Sequence, residues 1–307
     1  MIDFISAWLG STPSFMFPLL FASTGLIICE KVGVLNLGAE GIMSVAAMVG
    51  AASMLAGQSV AVAILYGAFS AFVIGFPFAI CIVIFRAPQI PVGLAIVAIG
   101  LGTSQALGKD IAHKTFKTIN EVYIPLLTDL PIVGQFVFGQ NVVIYLGLFF
   151  LIILTLFLSI SRTGLNLRAV GEDPAAADTT GIDVQVYQVM FVTFGVFLIG
   201  VAGAYLSVVA SQLWTDGMVN GRGWIAVALV VFAQWSIGRA FFGALLFGAA
   251  DALVPRLQAI GVDVPVYLLS MIPYILTIVV LVSVAIFFSS RSGEPLALGK
   301  VYLRQSR

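Results

Sequence analysis

Long apolar stretches separated by short polar segments dominate the hydrophobic pattern of this sequence. A helix that crosses a membrane needs about 20 mostly apolar residues, with a range of about 17–25. The stretch at 223–235 is short for a full crossing, so we expect it to be tilted, broken or re-entrant. We predict an all-α, polytopic bundle of transmembrane helices that forms one domain over residues 1–307. The pattern gives about nine spans, at residues 14–29, 35–55, 60–85, 89–107, 142–160, 186–210, 223–235, 241–257 and 266–288.

The composition indicates lipid, rather than water, as the solvent for much of the surface. Hydrophobic residues make up 61% of the chain and charged residues 9%, with a mean hydropathy of +1.12; a soluble domain carries about 25% charged residues. The zero net charge provides no basic surface for nucleic acid. His113 is the only histidine, which excludes a His-based metal cluster. Cys29 and Cys81 are interpreted as small apolar residues, with no disulfide between them.

A polar segment at residues 161–187 separates two strongly apolar stretches and sets the predicted orientation. It contains Arg162 and Arg168, and cytoplasmic segments of membrane proteins are enriched in Lys and Arg. Alternation of the spans then places the loop at 109–140 outside and the tail at 289–307 inside, with the N-terminus outside. The predicted inside holds Lys31, Arg86, Arg162, Arg168, Arg239, Arg291, Lys300, Arg304 and Arg307, against Lys109, Lys114, Lys117, Arg222 and Arg256 outside.

The same cytoplasmic segment carries the signals of a short helix. Asp173 suits the N-cap position, Pro174 the first helical position, and Gly181 the residue that follows a helix. We therefore predict a helix over roughly 174–180, displayed on the cytoplasmic face. A membrane protein driven by a separate soluble ATPase needs a surface of this kind.

Two further segments resemble each other at the starts of the second and seventh spans. Residues 33–42 and 216–225 are both rich in glycine, contain an Asn and place one charge beside a Gly before an apolar helix. The second span would start inside and the seventh outside, which is the pattern of inverted repeats with broken helices near a substrate path; a chance match is the alternative. Our candidate path residues are Asn36, Glu40, Gln105, Asn220 and Arg222.

Two carboxylates lie within predicted spans. An intramembrane carboxylate such as Glu40 is a candidate functional group, but it could equally be a residue of the helix N-terminus, stabilised there by the helix dipole. Asn36 could cap the same helix or face a pore. Asp251 could pair with Arg256 or line a cavity, and we favour a structural role for it.

Four segments together resemble the permeases of bacterial ABC importers, in the group for branched-chain amino acids, ribose-type sugars and nucleosides. They are distributed over about residues 30–285, nearly the whole chain, and read GVLNLGAEGIM (33–43), RAVGEDPAAADTTGI (168–182), GRGWIAVALV (221–230), and FGALLFGAADAL (242–253) with MIPYILT (271–277). The short N-terminus and the Asn-Leu-Gly-Ala-Glu-Gly form are similar to the shorter permease of nucleoside-type, basic membrane protein systems. The resemblance implies a multi-pass protein of the bacterial inner membrane.

The resemblance also implies partners and a coupling segment. Such systems combine two different permeases with an ATPase that binds the ATP and with an external solute-binding protein, so no cofactor is expected in this chain. The cytoplasmic loop of these permeases docks the ATPase. By resemblance, the ATPase-coupling residues are Gly171, Asp173, Pro174, Ala175, Ala176, Ala177, Gly181 and Ile182.

The sequence analysis thus predicts a non-catalytic permease subunit of an ATP-driven importer for nucleosides. A permease for simple sugars or branched-chain amino acids is the nearest alternative. An ion- or proton-coupled carrier is disfavoured because Glu40 and Asp251 are the only plausible buried acids. The sequence has no Walker-type phosphate loop, which excludes ATP hydrolysis by that route, and no paired carboxylates within a span to favour an intramembrane enzyme.

Overall fold

In a computed structural model of the chain, helices account for nearly all regular structure. The structure describes residues 2–128, 130, 133–261, 265–269, 271–287 and 293–302, and these residues form no β-strand. The predicted all-α class is therefore confirmed. The helices are α1 (Ile2–Lys31), α2 (Ala39–Leu55), α3 (Val60–Val83), α4 (Gln89–Gly108), α5 (Val142–Ile160), α6 (Arg162–Glu172), α7 (Pro174–Thr179), α8 (Val184–Tyr205), α9 (Arg222–Phe232), α10 (Ile237–Ala259), α11 (Val266–Leu269) and α12 (Ile272–Phe287).

Six helices within the described residues are long and apolar enough to cross a membrane, so the prediction of about nine spans is not confirmed. They are Asp3–Lys31, Val60–Val83, Gln89–Ile111, Val142–Ile160, Val184–Ser211 and Ile237–Ala259. Three of the predicted spans correspond instead to shorter apolar helices, at Ala39–Leu55, Arg222–Phe232 and Ile272–Ser283. Two of these, α2 and α9, are short because extended or turning backbone precedes them inside the bundle.

The first helix runs the full length of the bundle and defines its two ends. At its last residue, Lys31, the carbonyl lies against Gly171 of α6; we call this the α6–α7 end. Near its start, the carbonyl of Gly10 accepts a hydrogen bond of 2.8 Å from Nε2 of Gln140. We call this the 109–141 end, because described residues of the segment at 109–141 pack there. Arg291, Arg304 and Arg307, which the sequence analysis assigned to the inside, lie outside the described residues.

The core of the bundle depends on close approach of α8 to α1 and α2. A Cβ atom placed on Gly195 would collide with the carbonyl of Gly25 in α1, and one placed on Gly203 would collide with the carbonyl of Met43 in α2. Small residues of this kind let helices in membranes approach closely enough for backbone packing. As a result α2 is enclosed by its neighbours α3, α4, α8 and α9.

This packing predicts opposite effects at two helical glycines. Gly195→Ala should destabilise the protein, because overpacking in a tight core costs about 1–3 kcal/mol. Gly102→Ala in α4 is the matched control, since a Cβ there meets nothing within 4 Å and Ala is the better helix former by about 1 kcal/mol. Thermal unfolding in detergent should show a lower midpoint for the first variant and an equal or higher one for the second. Equal midpoints for both would contradict the packing assigned to Gly195.

Candidate functional site

The second helix begins deep inside the bundle. The extended backbone before it enters from the α6–α7 end beside α4, where the Leu35 amide donates to Oε1 of Gln89 at 2.7 Å. Further in, Gly93 lies against Leu37, and Gly41, in the first turn of α2, lies against Val97 near the middle of α4. The N-terminus of α2 is therefore placed well away from either end of the bundle.

The ninth helix also begins inside, but its preceding segment comes from the opposite end. That segment is held at the 109–141 end, where the amides of His113 and Phe116 donate to the carbonyls of Trp214 (2.9 Å) and Gln212 (3.2 Å). The turn after α9 reaches the α6–α7 end, where Nε1 of Trp235 donates to Oε2 of Glu30 at 2.6 Å. The two glycine-rich segments thus enter the bundle from opposite ends.

Glu40 joins the two helix starts. Its Oε1 accepts a hydrogen bond from the Gly221 amide and its Oε2 accepts one from the Gly223 amide, each at 2.8 Å. Only 7% of Glu40 is exposed. The first N–H groups of a helix have no partner within the helix, and the helix dipole makes that end favourable for a negative charge. Glu40 belongs to the first turn of α2 and supplies its carboxylate to the first turn of α9.

Asn36 binds the backbone of its own turn. Its Oδ1 accepts a hydrogen bond of 2.8 Å from the amide of Gly38, two residues further on, which is the geometry of an Asx turn. The side chain is fully buried and borders neither of the two cavities described below. Of the two roles considered for Asn36, the structure places it in the turn that leads into α2.

Asp251 pairs with Arg222 and not with Arg256. Its Oδ2 lies 3.2 Å from Nη2 of Arg222, so the ion pair links the start of α9 to the middle of α10. Nη1 of Arg222 also donates to the carbonyls of Met218 and Val219, each at 3.3 Å. The sequence analysis favoured a structural role for Asp251, but the structure also places it on the wall of a cavity.

Two neighbouring cavities lie between α1 and the C-terminal helices. The inner one has a volume of about 150 Å³ and takes its polar lining from Asn220, Arg222, Asp251 and Tyr274. The outer one, about 510 Å³, opens among residues of the 109–141 end and includes Arg256. Phe15 borders both cavities, so one side chain of α1 contributes to the walls of both.

The five candidate path residues are therefore not all brought together. Asn220 and Arg222 line the inner cavity, and Glu40 holds the backbone beside them. Asn36 is enclosed in its own turn. Gln105 is exposed on α4 and borders neither cavity. Sequence reasoning missed Tyr274, whose hydroxyl donates to the Asn220 carbonyl at 3.0 Å.

The short helix predicted in the segment at 161–187 is confirmed as α7. Oδ1 of Asp173 accepts hydrogen bonds from the amides of Ala175 and Ala176, each at 3.0 Å, and Pro174 is the first helical residue. Ala175 and Ala176 are exposed, whereas Ala177 is buried. Among the other coupling candidates, Gly171 packs against α1, while Gly181 is exposed and Ile182 is half-buried.

A second helix, α6, occupies residues that the sequence analysis treated as loop. Ser161 accepts a hydrogen bond from the Gly164 amide at 3.0 Å and caps this helix. Its buried residues, Gly164, Leu167 and Val170 with Gly171, fall on one face at a spacing of three to four. Ser161 followed by this spacing is the sequence signal that could have predicted α6.

The described part of the C-terminal tail contacts the α6–α7 end of the bundle. The Ala297 amide donates to the Gly171 carbonyl at 2.9 Å, and the Gly299 amide donates to the Gly33 carbonyl at 3.1 Å. The tail therefore links α6 to the turn between α1 and α2, a contact that no sequence pattern had indicated.

Broken helices that meet inside an apolar bundle define a multi-pass membrane protein of the transporter class. Comparison of the sequence with known families agrees: residues 11–281 match the family described as the permease component of branched-chain amino acid transport systems. The chain belongs to this family. Permeases of ABC importers work with an ATPase and a solute-binding protein, so both kinds of partner are implied.

Three relatives align over nearly the full chain. The Haloferax volcanii permease TsgC13, whose name provisionally assigns it to glucose, is 36% identical and covers 99% of both chains. The nucleoside ABC transporter permease NupC of Lactococcus lactis is 31% identical over 94% of this chain and 93% of its own. The guanosine ABC transporter permease NupQ of Bacillus subtilis is 30% identical over 100% of this chain and 99% of its own.

The geometry at Glu40 predicts a loss of stability on truncation. Glu40→Ala leaves the buried amide of Gly223 and the half-buried amide of Gly221 without their acceptor, and a buried donor left unpaired costs about 1–3 kcal/mol. The thermal unfolding midpoint in detergent should fall by several degrees. Asp216→Ala, at an exposed carboxylate of the segment before α9, is the control and should leave it unchanged. A wild-type midpoint for Glu40→Ala would contradict the proposed bridge between the helices.

Proposed function

We propose that this chain is the permease subunit of an ATP-driven importer for nucleosides in the bacterial inner membrane. The observation that carries the proposal is the alignment, over 94% and 100% of the chain, with two permeases whose names assign them to nucleosides and guanosine. The chain itself performs no chemistry and holds no cofactor in this proposal. ATP is bound and hydrolysed by a separate ATPase.

The α6–α7 pair is proposed as the surface that contacts the ATPase, on the cytoplasmic side. The exposed methyl groups of Ala175 and Ala176 allow a partner to approach the start of α7 closely, while Gly171 and Ala177 hold the pair onto the rest of the chain. The opposite, 109–141 end is proposed to face outward and to receive the solute-binding protein. A second, paralogous permease is proposed to complete the pathway.

A neutral solute agrees with the charges inside the bundle. Glu40 is held by two backbone amides and Arg222 by Asp251. No described side chain at this site therefore offers the isolated charge that an amino acid zwitterion would require. Glu30, a third buried carboxylate, accepts from Trp235. These contacts argue against an ion-coupled carrier, because all three carboxylates are already bound within the protein.

A simple-sugar permease is the second candidate. The observation that favours it is the higher identity, 36% over 99% of the chain, to a relative assigned provisionally to glucose. A sugar is also neutral, so the charge argument does not separate it from a nucleoside. Two of the three aligned relatives are named for nucleosides, and this decides our order of preference.

Transport assays separate these candidates directly. The importer, assembled with its ATPase, second permease and binding protein in vesicles, should accumulate radiolabelled guanosine when ATP is supplied. Glucose and leucine should not accumulate, and vesicles without ATP should show no uptake. ATP-dependent uptake of glucose in place of guanosine would favour the second candidate. Guanosine uptake that follows an ion gradient without ATP would contradict an ATP-driven importer.

The coupling surface can be tested by cross-linking at adjacent alanines. Ala176→Cys, at an exposed position, should cross-link to the ATPase subunit, whereas Ala177→Cys, at a buried one, should not. Ala176→Asp should abolish ATP-driven uptake with normal membrane insertion, because it places an unpaired carboxylate in the contact. Ala176→Ser is the control, because it changes the size of the side chain little and adds no charge, and it should retain uptake. Wild-type uptake by Ala176→Asp would rule out this surface.

A further inference from the structure

The ion pair at the inner cavity leaves a donor and an acceptor unused. Within the described residues, Nε of Arg222 and Oδ2 of Asp251 are buried and have no hydrogen-bond partner. Oδ2 lies 3.2 Å from Nη2 of Arg222, a distance that makes an ion pair although the angles of a hydrogen bond are not met. Buried polar groups are almost always hydrogen-bonded, so the ion pair keeps one donor and one acceptor available for a bound molecule.

The surroundings of the pair can accept a small polar molecule. Both side chains line the cavity of about 150 Å³, roughly ten times the least volume that holds one water molecule. Phe15 borders this cavity and also the larger one at the 109–141 end. A solute in the larger cavity therefore lies beside a side chain that also lines the cavity of the ion pair.

Tyr274 completes the wall of the same cavity. Its hydroxyl is fixed by the carbonyl of Asn220 at 3.0 Å, while 43% of the residue stays exposed. A ring that is held at one edge and open on its surface can pack against the apolar face of a sugar or of a base. The cavity thus combines an aromatic wall with a charged donor and acceptor.

We propose that Arg222 and Asp251 bind the vicinal hydroxyl groups of the transported solute, with Tyr274 packing against its ring. A hydroxyl group donates and accepts at once, so one hydroxyl can donate to Oδ2 of Asp251 while it accepts from Nε of Arg222. A second hydroxyl on the neighbouring carbon reaches the remaining carboxylate oxygen.

The proposal rests on the proposed function and adds to it the part of the solute that is recognised. Ribonucleosides and simple sugars, the two candidate solutes, share a ring oxygen, a hydroxymethyl group and vicinal hydroxyls, and of these only the vicinal hydroxyls place two donor–acceptor groups on neighbouring carbons. The edge of a nucleobase also pairs a donor with an acceptor, and recognition of the base is the alternative that the experiment must exclude.

The test compares guanosine with 2′,3′-dideoxyguanosine, which keeps the base and lacks both ribose hydroxyls. Import by the assembled importer in vesicles is measured with the binding protein saturated by each compound, so that binding-protein affinity does not contribute. The wild-type importer should import guanosine at least about tenfold faster, since sites built to bind a hydroxyl reject analogues that lack it. Asp251→Asn should lower guanosine import to the rate at which the wild-type importer imports the dideoxy compound.

Two further variants separate recognition from folding. Arg222→Met with Asp251→Leu removes both charges at similar volume, a change that proteins often tolerate without loss of stability; it should assemble with the partner subunits, as measured by size-exclusion chromatography, and still lose the discrimination. Asp216→Asn, at an exposed carboxylate that borders neither cavity, should behave as wild type.

The outcomes distinguish the proposal from the function on which it rests. Guanosine import with wild-type discrimination in both Asp251 variants would overturn the proposal alone and leave the ion pair as a fastening between α9 and α10. Equal import of the two compounds by the wild-type importer would point to recognition of the base and would also overturn it. Absence of guanosine import by the wild-type importer would contradict the proposed function and, with it, this proposal.

Discussion

The architecture of this permease depends on one interaction, in which the carboxylate of Glu40 links the starts of two broken helices. Inside a bilayer every backbone N–H and C=O group must find its partner within the protein. A helix that starts in the middle of a bundle exposes its first N–H groups there, and neither α2 nor α9 has a side chain of its own N-cap residue to satisfy them. Glu40 provides the acceptors for α9 from a residue of α2.

That arrangement determines what the neighbouring residues can do. Because Glu40 binds the amides on either side of Arg222, the position of this arginine is fixed at the start of α9. At the far end of α9 the bond from Trp235 to Glu30 fixes the following turn to α1. Arg222 is consequently directed to Asp251 of α10, and the polar wall of the inner cavity follows from these anchored positions.

A continuous set of contacts joins the proposed coupling surface to this centre. Gly171 of α6 lies against the end of α1. The C-terminal tail donates hydrogen bonds both to the carbonyl of Gly171 and to the carbonyl of Gly33, and so connects α6 to the turn after α1. From that turn the extended backbone leads directly into α2 and Glu40. Rigid elements in contact of this kind can carry energetic coupling between distant sites, and here they lie within one chain.

Some elements of the site were predictable because their determinants are local. The helix α7 follows from Asp173, Pro174 and Gly181, which act on backbone within a few residues. The long apolar stretches identified the long helices to within a few residues, except at the start of α1. The helix α6 was missed because its apolar face is only two turns long and follows a much stronger apolar stretch. The extent of α2 was overestimated, since residues 35–38 are apolar enough for a span but run extended beside α4.

The sequence by itself determined that this protein is helical, lies in a membrane and carries two glycine-rich helix starts with a charge at each. Only the tertiary structure decided what those charges do. Glu40 could have lined a pore, but its partners are amides 181 and 183 residues further along the chain. Asp251 could have paired with nearby Arg256, but the fold brings Arg222 to it. Hydropathy and capping act over a few residues, whereas the partner of a buried charge is selected by which helices pack together.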